Sequence, residues 1–272
     1  MELKHLPTKS RETLRRLARG SRGGILSVER AVELLSEPRK QVANRLAVLS
    51  RQGWLARVRR GLYVILPLES NSAGPLTVED PWILARELFF PCYIGGWSAA
   101  EHWGLTEQLF RSTFVVSGAS PRLRSVRFLE AEFTVVRVAR MRLAGATAIW
   151  RGAEKVMVSD RERTIVDALN APDWVGGVRH LIDMLTTYSQ TPAWDLPKLL
   201  RELETCGRGA AFKRFGFILE HLWPHETKSV QRALARRTSG YIKLDPSVRG
   251  RGTLNRRWGL WVNVSLGTLS DK

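Results

Sequence analysis

The stretch SEPRKQVANRLAVLSRQGWLARVRRGLYVI, residues 36–65, decides how the first part of this chain folds. Val42, Leu46 and Leu49 recur at i, i+4 and i+7, which predicts a helix from about Glu37 to Gln52 with those three side chains inward. Its opposite face carries Lys40, Asn44, Ala47 and Arg51, with Arg39 and Gln41 near its N-terminal end. Ser36 is the expected N-cap. Pro38 is tolerated in a first turn because its missing N–H had no intrahelical partner. Gly53 stands where a left-handed residue would end the helix. Beyond it, Leu55 to Val58 and Leu62 to Ile65 read as two strands, and Arg59-Arg60-Gly61 reads as the turn between them.

On the N-terminal side, Thr8 to Leu17 reads as a helix with Leu14 and Leu17 inward, broken by Gly20, Gly23 and Gly24. Ser27 is the expected cap of a second helix whose apolar stripe is Val28, Ala31, Val32, Leu34 and Leu35. Three short helices and a hairpin with a basic tip predict a winged helix-turn-helix over residues 1–66. Such a unit lays its third helix in the major groove of duplex DNA. Asn and Arg side chains there bond base edges, and small residues such as Ala43 and Ala47 let the helix sit deep. The expected DNA-binding residues are Arg39, Lys40, Gln41, Asn44 and Arg51 on the helix, with Arg57, Arg59 and Arg60 on the wing. A winged helix used only for protein contact is the competing reading.

The charge agrees with an anionic partner. The 272 residues hold 43 Lys and Arg against 26 Asp and Glu, a formal +17. The excess is not uniform: residues 1–80 carry +7, residues 81–227 only +2, and residues 228–272 carry +8. Clustered cations attract polyphosphate through counterion release. With 44% apolar and 25% charged residues the composition is that of a folded chain, not a disordered one. No apolar run reaches the roughly 20 residues of a membrane span, and the first residues lack the apolar core of a signal peptide, so the expected location is the cytoplasm. Cys92 and Cys206 are too few for a disulfide framework or a thiolate zinc site.

Residues 67–78, rich in Pro, Ser, Asn and Gly, read as a linker. Glu79 to Phe90 follows as a helix stopped by Pro91. Residues 93–108 then read YIGGWSAAEHWGLTEQ, and residues 156–169 read VMVSDRERTIVDAL. After a winged helix-turn-helix, these two stretches in this order resemble the AbiEi family, the antitoxin half of type IV toxin–antitoxin pairs. The first is similar to a family segment close to YISGESALxLHGLTEQ and the second to xxIxxPERTLLDxL. Trp97 replaces the commoner Glu and Asp160 the commoner Pro. The resemblance spans roughly residues 10–240. It implies a DNA-binding antitoxin that represses its own operon at repeated operator sites and counteracts a nucleotidyltransferase toxin. It implies no enzyme activity and no cofactor.

Read physically, both stretches are structural. Gly95 and Gly96 turn into a helix starting near Ser98 and ending at Gly104. Ser112 to Ser117, Val126 to Leu129, Phe133 to Val138, Thr147 to Trp150 and Lys155 to Val158 read as strands. Ser159 or Asp160 caps a helix that buries Ile165, Val166 and Leu169. Trp174 to Tyr188, Leu196 to Thr205, Ala211 to Leu222 and Lys228 to Arg237 read as further helices. The predicted class is α+β: a winged helix-turn-helix, then a mixed α/β antitoxin domain over 79–170, then a helical region over 171–272 ending in a basic strand segment around Trp258 to Val264.

Catalytic patterns are weak. Ser98, Glu101 and His102 lack a nucleophile elbow. Glu130, Glu132 and Asp160 lack the lysine a nuclease motif would supply. Arg249-Gly250-Arg251-Gly252 lacks the Lys-Ser/Thr of a P-loop. His221 and His225 are separated by Pro224, which breaks helical spacing. No metal site is expected. A second basic surface is expected from Arg232, Arg236, Arg237, Arg249, Arg251, Arg256 and Arg257. It suits a second DNA contact, an acidic partner or RNA, or a solvated face. Two other functions fit a winged helix: a ligand-responsive transcription factor, and a nuclease targeted by the winged helix.

Overall fold

The computed structural model describes residues 8–66, 80–119 and 125–266; the linker reading at 67–78 lies outside them. Three helices, α1 (Thr8–Gly20), α2 (Val28–Leu35) and α3 (Arg39–Arg51), pack with a small antiparallel sheet. Its strands are β1 (Ile25–Ser27), β2 (Leu55–Arg59) and β3 (Leu62–Ile65), in the order β1-β3-β2. The helices are short and weak on their own, so they hold by burying one stripe each. Leu14, Leu17, Ala31, Leu35, Val42, Leu46 and Leu49 meet Leu26, Trp54, Leu55 and Tyr63 in one core. Ser27 caps α2, its hydroxyl accepting from the Arg30 N–H at 3.1 Å. Gly53, at φ +80°, lets the chain reverse out of α3 into β2.

Ser36 is corrected. It ends α2 in a left-handed conformation, φ 54°, with its N–H bonded to the Val32 carbonyl. Its backbone is spent on ending α2, and α3 is capped by Pro38 without a side-chain bond. The strand β1 is an addition to the sequence reading; its register, Ile25 to Val64 and Ser27 to Leu62, closes the small sheet.

The body begins with α4 (Pro81–Phe89), capped by Asp80 onto the Trp82 N–H at 2.8 Å. A six-stranded mixed sheet follows, in the order β6-β7-β5-β4-β9-β8. Its strands are β4 (Cys92–Ile94), β5 (Ser112–Ser117), β6 (Ser125–Phe128), β7 (Ala131–Arg137), β8 (Thr147–Arg151) and β9 (Glu154–Val158). The strand β4, only three residues long and not expected from sequence, sits centrally. It is antiparallel to β5 and parallel to β9, so it joins two hairpin-like halves. One side of the sheet packs on α4 through Ile83, Leu84 and Phe89 against Ile94, Val115, Phe133 and Val158. Ile25, Leu62 and Val64 of the small N-terminal sheet join this same cluster. The Arg59 guanidinium donates to the Glu87 carbonyl at 3.0 Å, fastening the hairpin to α4.

The helix α5 (Gly96–His102) starts two residues earlier than expected. A side chain at Gly96 would strike the Trp174 carbonyl at 2.6 Å, so only glycine fits there. The helices α6 (Arg161–Asn170), α7 (Val178–Ser189), α8 (Leu196–Cys206), α9 (Gly209–Leu222) and α10 (Thr227–Ala235) enclose a further core. The single helix expected from Trp174 to Tyr188 is corrected. Pro172–Val175 is a 3-10 turn, and Gly176 and Gly177, at φ +89° and +112°, break the chain before α7. The C-terminal strand is part of a three-stranded sheet of β10 (Ile242–Lys243), β11 (Thr253–Asn255) and β12 (Leu260–Val262). Trp258 is fully buried beside α9, where a Cβ on Gly216 would lie 2.0 Å from its ring.

Candidate nucleic-acid interface and a buried ion network

Helix α3 turns Val42, Leu46 and Leu49 into the core, and the same periodicity leaves Arg39, Lys40, Gln41, Asn44 and Arg51 exposed. Ala43 and Ala47 flank this face, and Val48, 40% exposed, adds an apolar spot to it. Arg39 pairs with Glu29 at 2.5 Å, and both partners are well exposed. A hydrogen bond from its own backbone and the Arg39 guanidinium hold the Glu29 carboxyl below its ordinary range. An exposed pair of this kind is worth about 0–1 kcal/mol, so Arg39 is released to another anion at small cost. No carboxylate among the described residues lies within 4.0 Å of Lys40, Arg51, Arg57 or Arg60. Arg57 and Arg60 are exposed on the hairpin. Arg59 is exposed too, but its guanidinium is engaged with Glu87 as described. Arg45, which the sequence reading left out, pairs with Glu37 at 2.7 Å and ties α3 to the turn before it.

The C-terminal arginines do not form one uniform cationic face. Arg232 and Arg236 share the Glu204 carboxylate, at 2.7 and 3.5 Å. Arg257 pairs with Glu220 at 3.1 Å. Arg251 lies over the Trp261 ring, 5.7 Å from its centroid, within the roughly 6 Å reach of a cation–π contact. Arg237, Arg249 and Arg256 are exposed.

The residues considered for catalysis have structural partners. The Ser98 hydroxyl accepts from the Phe114 N–H at 2.9 Å, and His102 packs edge-on against Trp82 and Trp103. Burial and the nearby Arg151 and Arg161 hold the His102 imidazole below its ordinary pKa. Glu130 and Glu132 face Arg127, at 2.9 and 4.0 Å, whereas Asp160 caps α6 and meets Lys198 at 3.3 Å. Among the described residues no three of His, Cys, Asp and Glu gather into a metal site.

A charged site that the sequence reading missed lies inside the RERTIVDAL stretch. Arg163 and Asp167 are i, i+4 on α6, and both side chains are nearly inaccessible. Arg163 Nε donates to Asp167 at 3.1 Å, and the Tyr93 hydroxyl donates to its other oxygen at 2.6 Å. The remaining Arg163 nitrogens donate to the Arg142 carbonyl at 2.7 Å, the Ala144 carbonyl at 3.0 Å and Cys206 Sγ at 2.8 Å. Burial pushes the Asp167 carboxyl up, with Arg163 and Tyr93 opposing that rise. Burial likewise raises the Tyr93 phenol, which stays a donor, and lifts the Cys206 thiol to about 11. In the sequence the pair stands as Arg163 and Asp167 at i, i+4, but Arg161, Glu162, Thr164 and Asn170 share the helix, so the spacing does not mark the pair as buried.

No protein-family model matches the chain, and no curated protein sequence matches it. Its fold is similar to the crystal structure of the RV2827C protein from Mycobacterium tuberculosis, with a TM-score of 0.61 at 18% identity over 94% of this chain and 92% of that one. At that identity the likeness is one of α+β fold alone. Among the described residues no helix is long and apolar enough to cross a membrane.

Proposed function

We propose that this chain is a cytoplasmic DNA-binding antitoxin of the AbiEi kind. In this reading it represses its own operon, counteracts a nucleotidyltransferase toxin and is not itself an enzyme. The DNA half rests on one observation: α3 turns Val42, Leu46 and Leu49 into the core, leaving Lys40, Gln41, Asn44 and Arg51 exposed beside two small alanines. With α1, α2 and the β2–β3 hairpin it has the order of elements of a winged helix-turn-helix. Asn44 and Arg51 then read base edges, and Arg39, Lys40, Arg57 and Arg60 meet phosphate. Val48 adds an apolar contact suited to a thymine methyl group. Arg59 reaches phosphate only by leaving Glu87.

The antitoxin half rests on the sequence resemblance. The body supports it in one respect: YIGGWSAAEHWGLTEQ and VMVSDRERTIVDAL, 48 residues apart in the chain from Gln108 to Val156, meet in space through Tyr93 and Asp167. The test is nuclease footprinting on the chain's own promoter, together with co-expression beside the neighbouring gene. The reading expects protected repeats and relief of growth arrest. An unprotected promoter, or a neighbouring gene whose expression is harmless, overturns it.

A further inference from the structure

A cavity of about 400 Å³ opens beside the buried ion network. Its floor includes Arg163 and Asp167, and its walls carry Arg137 from the end of β7, Arg142 from the 3-10 turn Arg140–Leu143, Arg208 just before α9, and Trp174. Arg163 is already engaged by Asp167, by Glu202 at 3.5 Å, by two carbonyls and by Cys206. Arg137, Arg142 and Arg208 are different. Among the described residues no carboxylate lies within 4.0 Å of any of them. Arg142 donates one bond to the Cys206 carbonyl at 3.3 Å, and Arg137 and Arg208 are exposed. Three guanidinium groups thus line one concavity whose single lining carboxylate, Asp167, is already held by Arg163 and Tyr93. The cost is visible at Arg142, whose guanidinium is pulled below its ordinary pKa by burial and then by the positive charge of Arg208.

We infer that this cavity binds a small phosphorylated ligand of up to nucleotide size, with its phosphate groups held by Arg137, Arg142 and Arg208. Guanidinium forks match phosphate oxygens in geometry, and a phosphate ester supplies the two or more negative charges that three arginines call for, where a carboxylate supplies one. The volume lies within the range of about 300–1,000 Å³ of small-molecule sites and exceeds what bare phosphate fills. The half-buried Trp174 gives the remainder of the ligand an aromatic wall. The inference does not depend on DNA binding or on toxin neutralisation, because the site lies wholly in the body of the chain.

Titration calorimetry of the full chain at low salt tests it, with pyrophosphate, AMP and ATP as titrants and adenosine as the control lacking phosphate. Saturable binding with a Kd below about 1 mM is expected for at least one phosphorylated titrant, and none for adenosine. Arg137→Gln with Arg208→Gln should weaken that binding by at least about tenfold, since each removes charge-assisted bonds. Both side chains are exposed, so this variant should keep the parent's urea midpoint, and Arg208→Gln alone serves as a milder second variant. Arg256→Gln, outside the cavity, should bind as the parent does. No binding of any phosphorylated titrant overturns the inference, as does undiminished binding in the folded variants. Binding of a 5′-phosphorylated oligonucleotide but of no mononucleotide also overturns it, because the cavity would then take nucleic-acid ends.

Discussion

Arg163→Ala removes the centre of the buried network. Arg163 is 2% exposed and its guanidinium holds Asp167, which is 5% exposed, together with the carbonyls of Arg142 and Ala144. Without it, Asp167 keeps only the Tyr93 hydroxyl. Breaking a buried pair by deleting one partner costs about 3–5 kcal/mol, because the remaining charge is uncompensated. Arg142 lines the cavity and Ala144 is exposed, so both carbonyls recover water and add little. A loss of about 4 kcal/mol is about a quarter or more of a typical domain's stability of about 5–15 kcal/mol. At about 2–4 °C per kcal/mol, Tm falls by roughly 8–16 °C. Urea unfolding followed by tryptophan fluorescence measures it. A double-mutant cycle isolates the pair: Arg163→Met with Asp167→Leu should be less destabilised than the sum of the single variants, since neither charge is then orphaned. A single-variant loss under about 1 kcal/mol, or strict additivity in the cycle, refutes the reasoning.

Three other outcomes follow from named contacts. Gly216→Ala would normally stabilise a helix by about 1 kcal/mol, but its Cβ would sit 2.0 Å from Trp258; a net loss of about 1–3 kcal/mol is expected from overpacking, and a raised Tm would contradict the close contact. Burial opposes ionisation of Asp245, yet bonds from the Ser247 hydroxyl and the Val178 and Ser247 N–H groups win and hold its carboxyl below the ordinary value. Its stabilisation is therefore present above the unfolded pKa of about 3.9 and is lost as pH falls through the folded value. The gap in urea midpoint between parent and Asp245→Asn should be widest near pH 7 and shrink towards pH 3; a gap that widens in acid reverses the sign. Finally, DNA affinity should fall steeply with salt, with a log–log slope near −4 to −5 if about five phosphates are neutralised. Filter binding across a salt series would expose a flat dependence, which the electrostatic account does not allow.

The helices with full stripes were legible because periodicity alone sets their inward faces: Val42, Leu46 and Leu49 of α3 are all buried. Strands β5 to β9 were legible for the corresponding reason, being four to seven residues rich in branched and aromatic side chains. The strands β1, β4, β10 and β11 were not, because two or three residues carry no period; only pairing such as Tyr93 with Val116 defines them. Ser36 and the Trp174 segment went astray where left-handed backbone overrode a local preference. Burial of the Arg163–Asp167 pair depends on Tyr93 and Cys206, 70 and 43 residues away, which no local pattern reports. The division at about residue 66 also looked cleaner in sequence, since Ile25, Leu62 and Val64 pack with Ile83 across it.

The central claim is that the outer face of α3 reads duplex DNA. Fluorescence anisotropy at one fixed salt concentration, comparing the chain's own promoter with a composition-matched scramble, measures it directly. The parent should prefer the promoter, and Asn44→Ala or Arg51→Ala should erase about 1–3 kcal/mol of that preference while keeping affinity for the scramble. Arg60→Ala should weaken both duplexes alike. Equal affinity of the parent for the two duplexes, or lost preference in Arg60→Ala with preference intact in Asn44→Ala and Arg51→Ala, would contradict the account.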